Sequence, residues 1–115
     1  GEEAVDVAGI RVITRRVDGF DKDGLRRLAD SLRDRLRSGV VVIAAGIDGK
    51  VSVIVSVSAD LTTRLHAGQI VKQIAPIVGG GGGGRADFAE AGGRDAARID
   101  EMLAESRRVI ATLLG

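Results

Sequence analysis

The chain has 115 residues, of which 44% are hydrophobic and 29% charged, and its formal net charge is +1. These totals suit one soluble globular domain, 1–115. With no cysteine they exclude disulfides, thiol catalysis and cysteine-based zinc sites, and no apolar run approaches the roughly 20 residues of a membrane span.

The chain starts at Gly1 without a signal-like apolar segment, so it is expected to be an excised part of a longer, cytoplasmic protein. A charge of +1 does not by itself announce a nucleic-acid binder. Fourteen of the 17 basic residues are arginines, clustered at Arg15–Arg16, Arg26–Arg27, Arg33/Arg35/Arg37 and Arg107–Arg108. Most read as solvated helix faces paired with Asp30, Asp34, Glu101 and Glu105.

Residues 1–8 are acidic and unpatterned, and are expected to be a disordered remnant of a preceding segment. Ile10–Val17 alternates as a strand, and its three arginines suggest an exposed face or an edge position. Asp21 is then a good N-cap, with Phe20 before it able to staple onto Leu25. Leu25, Leu28, Leu32 and Leu36 make one apolar stripe, and Gly39 is expected at C′ of a helix over Asp21–Arg37.

Val40–Ile47 is apolar on both faces, as a central strand would be. Asp48-Gly49 is the dipeptide of a two-residue type I′ hairpin leading into Val51–Ser58. There Val51, Val53, Val55 and Val57 share one face, and Ser52, Ser56 and Ser58 the other. A second helix over Ala67–Val78 buries Ile70, Val71, Ile74, Ile77 and Val78, with Pro76 marking its end. His66, the only histidine, lacks partners at metal-ligand spacing and reads as a surface or capping residue. No Ser/His/Asp set or carboxylate pair is present, so catalysis by this chain alone is not expected. The last helix spans residues 95–114, with Ile99, Met102, Leu103, Val109, Ile110 and Leu113 at helical spacing.

Between these helices lies GGGGGGRADFAEAGG, residues 79–93. Glycine runs are usually flexible linkers. This one has no linker serines and is flanked by patterned segments, although ordering it costs roughly 0.5–1 kcal/mol per residue relative to alanine. A phosphate-binding loop runs strand, glycines, helix. Here the six glycines follow a helix C-terminus, whose dipole disfavours an anion. What remains is a side-chain-free ledge at one rim of the sheet, with Arg85 able to hold a phosphate. Gly92-Gly93, ahead of a helix capped by Asp95, offer the amides of residues 92–94 to an anion. On this reading a bulky residue at Gly82 changes the ledge without unfolding the domain.

GGGGGGRADFAEAGGRD resembles the glycine-rich signature of the C-terminal domain of alanyl-tRNA synthetases, within the DHHA1 family. The order of the other segments, including VVVIAAGIDGKVSVIVSVSADLT and LHAGQIVKQIAPIVGG, is similar over nearly the whole chain. Arg85, Asp87, Phe88, Ala89, Ala91, Gly92 and Gly93 match the family pattern, whereas Ala86 stands where proline is usual and Glu90 where glutamine is usual. The resemblance implies an α/β fold, a mixed β-sheet with helices mainly on one face. It implies a non-catalytic module that binds the elbow of tRNA-Ala and helps couple aminoacylation with editing in the parent chain. The nucleic-acid-binding residues would be Gly80, Gly81, Gly82, Gly83, Gly84, Arg85, Asp87, Phe88, Gly92 and Gly93. No cofactor is implied here, since ATP and zinc belong to other domains of such a parent. Phe88 either stacks on a base or anchors the core. Two alternatives are the substrate-binding portion of a DHH-type phosphoesterase and a dimerisation module whose homodimer forms through the C-terminal helix.

Overall fold

A computed structural model describes residues 4–115, and its centre is the hairpin that the sequence marks most clearly. Strands β3 (Val40–Ile47) and β4 (Lys50–Val57) pair antiparallel, and Asp48 and Gly49 take φ of 52° and 76°, as a type I′ turn requires. Strand β2 (Ile10–Arg16) lies parallel to β3, joined to it by helix α1 (Lys22–Leu36). On the other side β4 pairs with β6 (Phe88–Gly93), and β6 with β5 (Gly81–Gly84), both antiparallel. With β1 (Ala4–Val7) the sheet has six strands in the order β1-β2-β3-β4-β6-β5.

The sheet is covered on both faces. Helices α2 (Ala67–Ile74) and α3 (Ile99–Leu114) lie on one, packing Ile70, Ile74, Ile99, Met102 and Ile110 against Val12, Val40, Val42, Val53 and Val55. Only α1 lies on the other, where Leu25, Ala29, Leu32 and Leu36 meet Ile13, Val41, Ile43, Ala45 and Ile54. Strand β3 is therefore buried on both sides, and Val40–Ala45 are all 0% exposed. This is the mixed α/β sheet expected, with helices mainly on one face.

Several expectations need correction. Residues 1–3 lie outside the described residues, but Ala4–Val7, read as part of a disordered remnant, form a strand against β2. Ala8 and Gly9 turn the chain with φ of 51° and 89°, and Asp6 Oδ1 accepts the Gly9 amide at 2.9 Å. Consequently β2 is an interior strand and not an edge.

At the end of α1 the residue that closes the helix is Arg37, with φ 67° and ψ −53°, and not Gly39. Gly39 serves close approach instead, because a Cβ there would stand 2.5 Å from the Arg11 carbonyl oxygen on β2. Helix α2 stops at Ile74 and tightens into a 3₁₀ turn over Ala75–Val78, where the Pro76 ring fits the first turn without losing a helical bond. The last helix likewise starts at Ile99, after a 3₁₀ turn over Ala96–Arg98. The N-cap of α1 is as expected: Asp21 Oδ1 accepts from the Gly24 amide at 2.7 Å. Phe20 lies over Gly24.

Candidate nucleic-acid interface

The glycine run is neither a linker nor a loop. Gly79 caps the 3₁₀ turn in a left-handed conformation (φ 72°), and Gly81–Gly84 then form β5, the outermost strand of the sheet. The reason for glycine differs from one residue to the next. A Cβ at Gly80 would fall onto the Gly92 carbonyl, one at Gly82 onto the Glu90 carbonyl, and one at Gly84 would stand 2.6 Å from the Phe88 carbonyl oxygen. At Gly81 nothing lies within 4 Å of the added atom, and at Gly83 only the Lys72 stem does. Half of the run is thus glycine so that β5 can lie against β6, and a bulky residue at Gly82 would push the two strands apart. That corrects the expectation that Gly82 is a free surface position; Gly81 is the position where a side chain has room.

The turn from β5 to β6 is fixed from two sides. The Arg85 amide donates to the Phe88 carbonyl at 2.9 Å, and the Val57 amide donates to the Asp87 carbonyl at 2.9 Å. The first amides of α2 also bond to this turn, Ala67 to the Ala86 carbonyl at 2.8 Å and Gly68 to the Arg85 carbonyl at 3.1 Å. His66 caps the same helix, its Nδ1 accepting from the Gln69 amide at 3.2 Å, so the capping role read from the sequence is the observed one. The first three amides of this helix are therefore committed, two to the turn and one to His66. At the tip, Arg85 is 75% exposed and its Nε donates to Asp87 Oδ1 at 3.1 Å. An ion pair that open to water is weak, and a competing anion can displace it at little cost.

Gly92 and Gly93 do not form an anion cradle. The amides of Arg94 and Asp95 both donate to the Val78 carbonyl, at 2.9 and 3.0 Å, and the Asp95 side chain caps nothing. Gly93 is glycine because a Cβ would stand 2.6 Å from that same carbonyl oxygen. Phe88 is half-buried against the α1-side core. Glu90 shares its face, and its carboxylate accepts from Arg26 Nε on α1 at 2.9 Å. Glu90, and then Asp23, raise the pKa of the Arg26 guanidinium. Beside this pair is a cleft of about 260 Å³ lined by Lys22, Arg26, Ser52, Gly81, Glu90 and Gly92.

All ten residues implicated by the signature therefore lie on or beside one hairpin, at the edge of the sheet. The sequence reading missed the anchoring of that hairpin by α2. Its signal was His66-Ala67-Gly68, a cap followed by a glycine whose Cβ would stand 2.6 Å from the Gly84 carbonyl oxygen. The outer face of α3 carries Asp100, Glu101, Ala104, Arg108, Ala111 and Thr112, and so presents no apolar stripe to a second copy.

The DHHA1 domain family matches residues 9–112, and the chain belongs to it. Among the relatives, an alanine–tRNA ligase of Acetivibrio thermocellus is 46% identical over 113 residues, which is 97% of this chain and 13% of that protein. The chain spans only 12–13% of the length of such curated relatives. Among solved structures, the C-Ala domain from Aquifex aeolicus alanyl-tRNA synthetase superposes with a TM-score of 0.88 at 27% identity, covering 94% of this chain and 97% of that one. A DHH-domain member of the s1p family of ribosomal proteins shares the fold at a TM-score of 0.66 and 19% identity, with 97% of this chain and 28% of that one covered. Within its family the chain is thus similar to the C-terminal domains of alanyl-tRNA synthetases.

Proposed function

We propose that this domain is the non-catalytic tRNA-binding module of an alanyl-tRNA synthetase. In this role it contacts the elbow of tRNA-Ala and helps couple aminoacylation with editing in the parent chain. The observation that carries the reading is the exposed glycine strand with Arg85 at its tip, in a chain that aligns end to end with a C-Ala domain. A strand without side chains lets a folded RNA surface approach the backbone closely. The near absence of aromatic residues fits recognition by shape and phosphate more than by stacked bases.

The test is binding of the 115-residue chain to transcribed tRNA-Ala across a salt series, followed by charging assays on the parent enzyme with and without this domain. Salt-sensitive binding, weakened by Arg85→Ala and tightened by Asp87→Asn, is the expected result. Absence of binding at low salt, together with unchanged charging after deletion, would overturn the reading.

A further inference from the structure

An RNA surface needs cations, and the hairpin itself supplies only Arg85, which already faces Asp87. The neighbouring helix changes that balance. Residues 61–86 contain no Asp or Glu, yet they carry Arg64, Lys72 and Arg85, in a chain that has 16 carboxylates. The fold lays part of this acid-free stretch, α2, alongside β5. Lys72 runs beside Gly83, its Cε 3.5 Å from the place a Cβ there would take. It has no hydrogen-bond or ion-pair partner among the described residues. At the other end of the run the Arg94 stem covers Gly79, its Cγ 3.3 Å from the corresponding position, and its Nε donates weakly to the Gly79 carbonyl at 3.4 Å. The carboxylate across from Gly83, Glu90, is on the opposite face of the sheet and is held by Arg26.

The geometry points to a cationic rail, Arg94–Lys72–Arg85, along the β5 edge, which takes RNA phosphates while the bare glycine backbone lies against the sugars or bases between them. Strand β5, Gly81–Gly84, is about 10 Å long at some 3.3 Å per residue, with Arg94 beside Gly79 ahead of it, Lys72 beside it and Arg85 just after it. The absence of side chains on β5 is what allows cations mounted on α2 and after β6 to reach a ligand lying on the strand. Lys72, outside the glycine signature, and Arg94, near its end, thereby become binding residues beyond the ten that the resemblance implicates.

This inference rests on the tRNA-binding reading, and its test separates the two. Affinity of the chain for transcribed tRNA-Ala is measured against salt for Lys72→Gln, Arg94→Gln, Arg85→Gln and, as a control on α1, across the sheet from α2, Arg35→Gln. Each rail variant should lower affinity and reduce the slope of log affinity against log salt by about 0.7–0.9, the effect of losing one phosphate contact. Arg35→Gln should change neither, and Lys72→Arg should keep the slope. Circular dichroism melts confirm that the variants fold, which exposed Lys72 on a helix favours. If Arg85→Gln flattens the slope while Lys72→Gln and Arg94→Gln behave like the control, the rail is wrong and the tRNA reading stands. If the unmutated chain does not bind, both fall.

Discussion

Two hairpins of the same sheet are built on opposite principles. The β3–β4 hairpin is specified by side chains: its valines and isoleucines fill both faces, and Asp48-Gly49 sets the turn. The β5–β6 hairpin is specified by their absence, since Gly80, Gly82 and Gly84 are glycine so that the strand can lie on the carbonyls of Gly92, Glu90 and Phe88. The first hairpin is the core of the fold. The second gives up hydrophobic burial for a backbone surface at the rim, and it needs α2 to hold its turn in place.

Substitutions break this contrast in graded steps. The largest effect belongs to the side-chain-built hairpin: Ile54, 1% exposed, should cost about 2–5 kcal/mol of global stability as Ile54→Ala, read from chemical denaturation. Gly82→Ala should cost about 1–3 kcal/mol through overpacking against β6. Hydrogen exchange would locate that loss, with protection falling in β5–β6 and persisting in β3–β4. Uniform loss of protection would show that the two hairpins are one cooperative unit. Gly49→Ala inverts the cause, because at φ 76° there is open space but a strained backbone. A penalty of about 1–2 kcal/mol in the denaturation midpoint is expected there.

Acid also distinguishes the regions. Hydrogen bonds from Ser38 and then Ser58, both at 2.6 Å, hold the Asp60 carboxyl below its ordinary value and tie the end of β4 to the start of β3. Because the folded value is the depressed one, this contribution is complete above the usual carboxylate range. It is lost as pH falls through the folded value. Asp60→Asn should therefore flatten the acid limb of the melting-temperature profile. The smallest effect on stability, within about 0.5 kcal/mol, is expected for Gly81→Ala, where the added methyl group meets nothing. Weakened tRNA binding in that same variant would show that the bare strand is a surface kept open for a ligand.

Local rules carried the sequence reading furthest where one residue answers to one constraint. Asp21 bonds the Gly24 amide, Asp48-Gly49 makes its turn, His66 caps α2 and the doubly apolar Val40–Ile47 lies in mid-sheet. The reading failed where a residue answers to a distant backbone. Ala4–Val7 has a strand's pairing only because β2 is beside it, and Gly39 is required by Arg11 on another strand. The amides near Gly92-Gly93 looked available to an anion because nothing in the local sequence shows that the Val78 carbonyl reaches them.

The glycine signature shows the same division. By itself the sequence determined that residues 79–84 have no side chains, that they follow a helix end, and that Arg85 comes next. Those facts identified the family resemblance and argued against a phosphate-binding loop. Only the tertiary structure decided that the run is an edge strand, that alternate glycines are required by contact with β6, and that Lys72 and Arg94 flank it. A glycine carries no side-chain pattern, so the sequence holds no periodicity from which its pairing could be read; the partner strand's carbonyls supply that information.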